Sequence, residues 1–204
     1  MTASMTMGLP GVTLSPGDHI CAFYRGSAQR NEVLGPYLRE GLLAGDKCIC
    51  VMDDPDVDQV VGSLAAHVDA ELSQRTGQLE LLCSKTTYLA GGYFAIDEML
   101  EFWEQGVGGA VTRDGFGFVR AVGEMTWALQ DLPGVEYLLA YEAKLNEFLP
   151  RYQQVILCLY DLEQFSDGEI LLDLLRTHPK VLLSGQLLDN PWYTTPDEYL
   201  AMRA

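Results

Sequence analysis

Cys48-Ile49-Cys50-Val51-Met52-Asp53-Asp54-Pro55 decides the fold. Five apolar residues in succession, with no polar alternation, mark a strand covered on both faces, as in a parallel sheet. The Asp-Asp-Pro that stops the run suits a helix start, because carboxylates cap free amides and proline fits the first turn. A helix is therefore expected from here to about His67. The same pattern recurs outward. Upstream, the turn residues Ser15-Pro16-Gly17-Asp18 lead into a strand, His19–Tyr24. A helix over Gln29–Ala44 follows, with Val33, Leu34, Tyr37, Leu38 and Leu42 at helical spacing. Pro36 inside it predicts a kink or a late start, and Gly45-Asp46 ends it. Downstream, strands are expected at Leu79–Cys83, Phe116–Val122, Val155–Tyr160 and Val181–Leu183. Helices are expected at Tyr93–Gln105, Val135–Phe148 and Gly168–Arg176, with a loop over Thr86–Gly92. Leu188–Leu200 reads as an irregular strap with a short end helix. Strand and helix alternate about five times, which gives an α/β fold with a mostly parallel central sheet between helical layers. There is no internal repeat and no low-complexity linker, so residues 14–204 form one domain and 1–13 a flexible tail.

The bulk composition narrows the function. With 204 residues, 48% of them hydrophobic, the chain can bury one sizeable core. A net charge of −16, with no cluster among the 13 Lys and Arg, repels polyanions, so no direct nucleic-acid partner is expected. No run approaches the roughly 20 apolar residues of a membrane span, and residues 1–10 lack a basic start and apolar stretch. A cytoplasmic protein is expected, with no membrane partner. The five cysteines (Cys21, Cys48, Cys50, Cys83 and Cys158) all sit in apolar runs, as reduced, buried thiols do.

Ligands of open parallel sheets bind outside the carboxyl ends of the strands. Those positions hold Tyr24 and Arg25; Asp53 and Asp54; Ser84 to Thr87; Glu124, Thr126 and Trp127; Asp161 and Glu163. Helix capping accounts for Asp53 and Asp54 singly. As a converging set, the carboxylates need a cation, a base or an arginine between them. Phe23, Tyr24, Tyr88, Met125 and Trp127 read either as the wall of an apolar pocket or as ordinary core. His19 and Cys21 lie two apart on a strand and share a face, as do Cys48 and Cys50. Imidazole and thiolate ligate Zn²⁺ or Cu⁺, but core packing explains the same residues and the spacing is no metal motif. No metal is assigned. His178 at a helix end is accounted for by the helix dipole.

A phosphate-binding loop needs a glycine-rich run closed by Lys and Ser or Thr. After the first strand, Tyr24 to Asn31 holds one Gly and no such pair. Gly41 to Lys47 precedes a strand and does not follow one. Val155 to Asp161, with Glu163 beyond, has the form of a Mg²⁺-holding strand end. Arg25 and Arg30 are left as contacts for an anion at the first helix N-terminus. No nucleophile elbow is present, and a non-enzymatic protein is expected.

Gly17-Asp18-His19-Ile20-Cys21-Ala22-Phe23-Tyr24, Gly45-Asp46-Lys47-Cys48 and Asp53-Asp54 resemble the MEDS domain. So do Arg120-Ala121-Val122-Gly123-Glu124-Met125-Thr126-Trp127, Tyr160-Asp161 and Arg176-Thr177-His178-Pro179. This sensory domain is named for methanogens, methylotrophs and the dichloromethane-dehalogenase regulator, and the similarity runs from about Leu14 to Leu188. The resemblance implies a RecA/KaiC-like three-layer sandwich with a degenerate P-loop. It also implies a sensor of simple hydrocarbon derivatives in prokaryotic signal transduction or transcriptional regulation.

Strand ends and matched motifs together give the candidate ligand-binding set: His19, Cys21, Tyr24, Arg25, Asp53, Asp54, Arg120, Glu124, Trp127, Asp161 and His178. Family members are often fused to helix-turn-helix, histidine-kinase or anti-sigma-factor modules. The present 204 residues leave no room for one, so the chain is expected either to act through a separate regulator, kinase or anti-sigma-type protein or to be the sensory part alone, with a homodimer as a further option. Ligand binding is expected to bias the Thr86–Gly92 loop, hinged at Gly91-Gly92. No cofactor is specified. Three alternatives stay open: a degenerate nucleotide-binding RecA-like protein, a metal or thiol redox sensor using His19 and Cys21, and an interaction module without a ligand.

Overall fold

The computed structural model describes residues 5–203, the side chains of 54–56 excepted. A hairpin, β1 (Met5–Thr6) and β2 (Thr13–Leu14), comes first, then β3 (His19–Tyr24), α1 (Gly26–Ala44), β4 (Lys47–Met52), α2 (Asp54–Leu64) and α3 (Ala70–Arg75). Next are β5 (Leu79–Cys83), α4 (Ser84–Thr87), α5 (Ile96–Thr112), β6 (Val119–Glu124), α6 (Leu138–Phe148) and β7 (Gln154–Asp161). The chain closes with α7 (Gly168–Thr177), β8 (Lys180–Leu183), β9 (Gln186–Asp189) and α8 (Pro196–Arg203). The seven-stranded sheet has the order β5-β4-β6-β7-β3-β8-β9. Every neighbouring pair is parallel except β8 with β9. The fold is thus the expected α/β sandwich with a mostly parallel sheet.

Strand periodicity divides the interior in two. Cys21, Ile49, Val51, Val119, Ala121, Ile156, Cys158 and Tyr160 face one core, closed by α5, α6 and α7. Ile20, Ala22, Cys48, Cys50, Val122, Val155, Leu157 and Leu159 face the other, closed by α1, α2 and the hairpin. Every residue of β4, β6 and β7 is buried, which is why β4 reads as an unbroken apolar run.

Several boundaries differ from the sequence reading. Residues 5–13, expected as part of a mobile tail, form a packed hairpin whose Met7 is fully buried. Gly8, at φ +91°, lies so close to α1 that a Cβ there would stand 2.4 Å from the Pro36 carbonyl oxygen. Pro36 itself sits inside a continuous α1. Helix α5 runs past Gln105 to Thr112. Its glycines serve close packing: a Cβ on Gly108 would meet the Tyr152 hydroxyl at 2.7 Å. Part of the Thr86–Gly92 loop belongs to α4, and the strap after Leu188 is the end of β9 followed by α8. No helix of the described residues is long and apolar enough to cross a membrane.

Candidate functional site

Strands β3, β4, β6 and β7 end side by side, and their terminal side chains knot together. Glu124 is the hub. Its Oε1 accepts the Tyr24 hydroxyl at 2.8 Å and Arg30 Nη1 at 3.1 Å, and its Oε2 accepts the Asp53 backbone N–H at 3.3 Å. Tyr24, Arg30 and Glu124 are only 4, 2 and 4% exposed, so the crevice is filled by its own charge-compensated side chains. Burial, reinforced by the neighbouring Glu124 carboxylate, pushes the Tyr24 phenol far above its usual range and keeps it a donor. Asp53 makes no side-chain cap to α2. It accepts instead from Ser84 Oγ at 2.6 Å and Thr126 Oγ1 at 2.9 Å, tying the segments after β5 and β6 together. The Asp54 side chain lies outside the described residues.

The other side of this edge disfavours a phosphate. A single residue, the exposed Arg25, joins β3 to α1, leaving no loop to wrap an anion. The first amide of α1, Gly26 N–H, already donates to Asp161 Oδ1 at 3.3 Å, and Arg25 N–H donates to Gln29 Oε1 at 2.9 Å. Asp161 further accepts from Glu163 N–H and Gln164 Nε2. An anion here would face the Asp161 carboxylate where a phosphate-binding loop offers bare amides. Arg30, expected as an anion contact, points its guanidinium at Glu124.

Five candidates stand elsewhere. Arg120 is the second residue of β6, at the opposite edge. Its Nε donates to Asp46 Oδ2 at 2.8 Å, and its Nη1 donates to the Thr6 and Tyr37 carbonyls at 3.0 and 3.3 Å. It holds hairpin, α1 and the turn before β4 together, and it is 1% exposed. Trp127 is fully buried, stacked on Tyr88 at 4.7 Å and beside Phe94 at 4.5 Å, and so belongs to the core. His19, Cys21 and His178 lie away from the carboxyl ends, buried on the α6 side of the sheet.

There His19 and His178 meet Glu142 of α6 and Cys158 of β7, with ligand atoms all within 4.8 Å of one another. Glu142 Oε2 lies 3.1 Å from His19 Nε2, 3.3 Å from His178 Nε2 and 3.5 Å from Cys158 Sγ. Cys158 Sγ lies 3.4 Å from His19 Nε2. The thiol beside His19 is thus Cys158 of the neighbouring strand, where the sequence pointed to Cys21. Tyr160 donates its hydroxyl to Glu142 Oε1. Burial opposes ionisation of Glu142, but the two imidazoles, in their protonated form, outweigh it and hold the carboxyl far below the usual range. Burial and the second imidazole hold His19 below the usual histidine range.

Sequence reasoning placed neither Glu142 nor Cys158 in a site. A signal for Glu142 existed: it falls on the apolar stripe Leu138, Tyr141, Leu145 of α6, where a carboxylate has no solvent. Arg30 had a similar signal, four residues before the buried Leu34.

A family model, "MEDS: MEthanogen/methylotroph, DcmR Sensory domain", matches residues 18–179. The chain is 33% identical over 170 residues to the transcriptional repressor DcmR of Methylorubrum extorquens (strain DSM 6343 / CIP 106787 / DM4). The match covers 82% of this chain and 60% of that repressor's length. The fold resembles the KaiC-like protein PH0186 of Pyrococcus horikoshii OT3, with TM-score 0.59 at 14% identity over 87% of this chain and 78% of that one. It also resembles the flagellar accessory protein FlaH of Methanocaldococcus jannaschii, with TM-score 0.54 at 11% identity over 87 and 77%.

Proposed function

Because the chain belongs to the MEDS family of sensory domains, we propose that it binds a small organic molecule, a simple hydrocarbon derivative, at the carboxyl edge of its sheet. It reports that binding to a regulatory partner without chemically altering the ligand. The observation that carries this reading is the Tyr24–Glu124–Arg30 knot, a desolvated hydroxyl, carboxylate and guanidinium at the sheet edge that open parallel sheets use for ligands. A compact ligand bearing a polar atom competes with the Tyr24 hydroxyl for Glu124. The displaced carboxylate then pulls on Arg30 of α1 and on the Asp53 amide before α2. Asp53 in turn holds Ser84, at the head of the segment that runs to Gly92. Ligand occupancy is thereby converted into a shift of that surface loop. The missing phosphate cradle supports a non-enzymatic role, and the repressor relative supports a transcriptional output through a partner.

The test is calorimetric titration of the untagged chain with a panel of short alcohols, amines and halocarbons, and with ATP. Saturable binding of one panel member is expected, weakened about tenfold (~1.4 kcal/mol) by Glu124→Gln and strengthened by Tyr24→Phe, which removes the competing hydroxyl. Binding that both substitutions leave unchanged removes the site from the carboxyl edge. Turnover of ATP replaces the reading with that of a nucleotide-hydrolysing protein.

A further inference from the structure

We propose that His19, Glu142, Cys158 and His178 form a tetrahedral site for a divalent transition metal of the zinc class, buried between α6 and the sheet. The argument rests on where the protons are. His178 Nδ1 lies 2.8 Å from the Leu174 carbonyl oxygen and so carries its proton there. His19 Nδ1 lies 3.1 Å from Asn146 Oδ1. That amide's orientation is fixed, because Asn146 Nδ2 donates to the Glu142, Ala143 and Thr177 carbonyls. In its neutral form each ring is therefore the Nδ1–H tautomer, with its Nε2 lone pair turned inward. Outer hydrogen bonds orient the histidine ligands of metal sites in this way. The lone pairs meet a carboxylate oxygen, itself an acceptor, and His178 Nε2 has no hydrogen-bond partner although it is fully buried. Tyr160 occupies the other oxygen of Glu142, leaving Oε2 as a single inward ligand atom.

The geometry fits the same reading. Metal bonds of about 2.0–2.3 Å place neighbouring ligands of a tetrahedron about 3.3–3.6 Å apart. Four of the six ligand separations, those around Glu142 Oε2 and between Cys158 Sγ and His19 Nε2, run from 3.1 to 3.5 Å, and the other two stay within 4.8 Å. A thiolate and a carboxylate together balance the charge of a divalent ion, so the loaded site is neutral in an apolar core. Loading deprotonates Cys158 and releases that proton to solvent. Two imidazoles, a thiolate and one carboxylate oxygen are a soft, tetrahedral donor set that suits zinc better than calcium or magnesium. The site joins β3, β7, α6 and the α7–β8 junction, so the metal acts as a clip between helix and sheet. It is separate from the carboxyl-edge knot, and its failure would leave the proposed ligand site untouched.

The test uses the untagged full chain, produced in minimal medium supplemented with cobalt so that the closed site is loaded during folding. One cobalt per chain is expected, with tetrahedral d–d bands in the visible and a thiolate-to-cobalt charge-transfer band in the near ultraviolet. Zinc added during refolding removes both. Cys158→Ser abolishes the charge-transfer band, and Cys21→Ser, on the same face of the neighbouring strand, retains it. X-ray absorption of the unsubstituted chain, needed should Cys158→Ser not fold, shows one sulfur among nitrogen and oxygen scatterers. Folded chain with no stoichiometric cobalt, a band that survives Cys158→Ser or dies with Cys21→Ser, or a shell of oxygen alone overturns the proposal.

Discussion

The Tyr24 hydroxyl reaches past β7 to Glu124 Oε1, 2.8 Å away, and so joins β3 to β6, two strands that are not neighbours in the sheet. Glu124 is 4% exposed, and a carboxylate in that position is held by every donor it has. Tyr24→Phe removes one hydrogen bond to a charged acceptor and little volume. It is expected to lower unfolding free energy by about 1.5–3 kcal/mol while leaving the fold intact. Urea denaturation measures this. A loss well under that figure would mean that Arg30 and the Asp53 amide satisfy Glu124 without the phenol.

Arg120 separates a structural motif residue from a ligand contact. Its guanidinium is 1% exposed and shared among Asp46, Thr6 and Tyr37. Arg120→Ala leaves the Asp46 carboxylate without its buried partner and opens a void, a change of about 3–5 kcal/mol. That is a large share of the stability of a domain this size. Variant protein that still folds, at low temperature or with an osmolyte, is expected to bind the sensed ligand with unchanged affinity. Specific loss of affinity with stability preserved would return Arg120 to the ligand site.

Gly41 and Gly62 both lie inside helices, and the structure gives them opposite signs. A Cβ on Gly41 would stand 2.6 Å from Arg120 Cδ and 2.8 Å from Cys48 Sγ, and three hydrogen bonds prevent Arg120 from yielding. Gly41→Ala is expected to cost about 1–3 kcal/mol through overpacking. A Cβ on Gly62 meets nothing within 4 Å, so Gly62→Ala is expected to gain about 0.4–1 kcal/mol by stiffening the unfolded chain. Thermal melts of the two variants beside the parent decide both signs.

The sheet was legible because β4 and β7 are buried on both faces, and burial on both faces writes an unbroken apolar run. Helix α3 escaped because it is six residues long with only Ala70 and Ser73 buried, too short to show a period. The carboxyl-edge residues Tyr24, Asp53 and Glu124 could be read from topology alone, since the ends of adjacent parallel strands must converge. The buried cluster could not be assembled that way. His19 and Cys158 start and centre two paired strands, but Glu142 and His178 arrive from α6 and from the end of α7. Their meeting depends on how those helices lie across the sheet, which periodicity does not encode. Arg120 misled for a related reason: it shares a sequence motif with Glu124, yet the strand between them carries the two to opposite edges of the sheet.

The cysteines give a measure of core closure that needs no ligand. Cys48 is fully buried, and burial, partly opposed by the Arg120 charge, pushes its thiol up to about 12. Burial likewise raises Cys21 well above the usual range. The shift is upward, so these groups stay neutral thiols near pH 8, and the thiolate is the reactive form. Cys83 alone is only half-buried, at the end of β5. Iodoacetamide added to the native chain at about pH 8 is therefore expected to modify Cys83 first, with the other four protected until denaturant is added. Peptide mass spectrometry reads the order. Arg120→Ala should bring Cys48 into the labelled set, because the anchor that ties the hairpin, α1 and the turn before β4 together is gone. Equal labelling of Cys48 and Cys83 in the parent chain would show that the core opens on the timescale of the reagent, and that the Arg120 anchor does not close it.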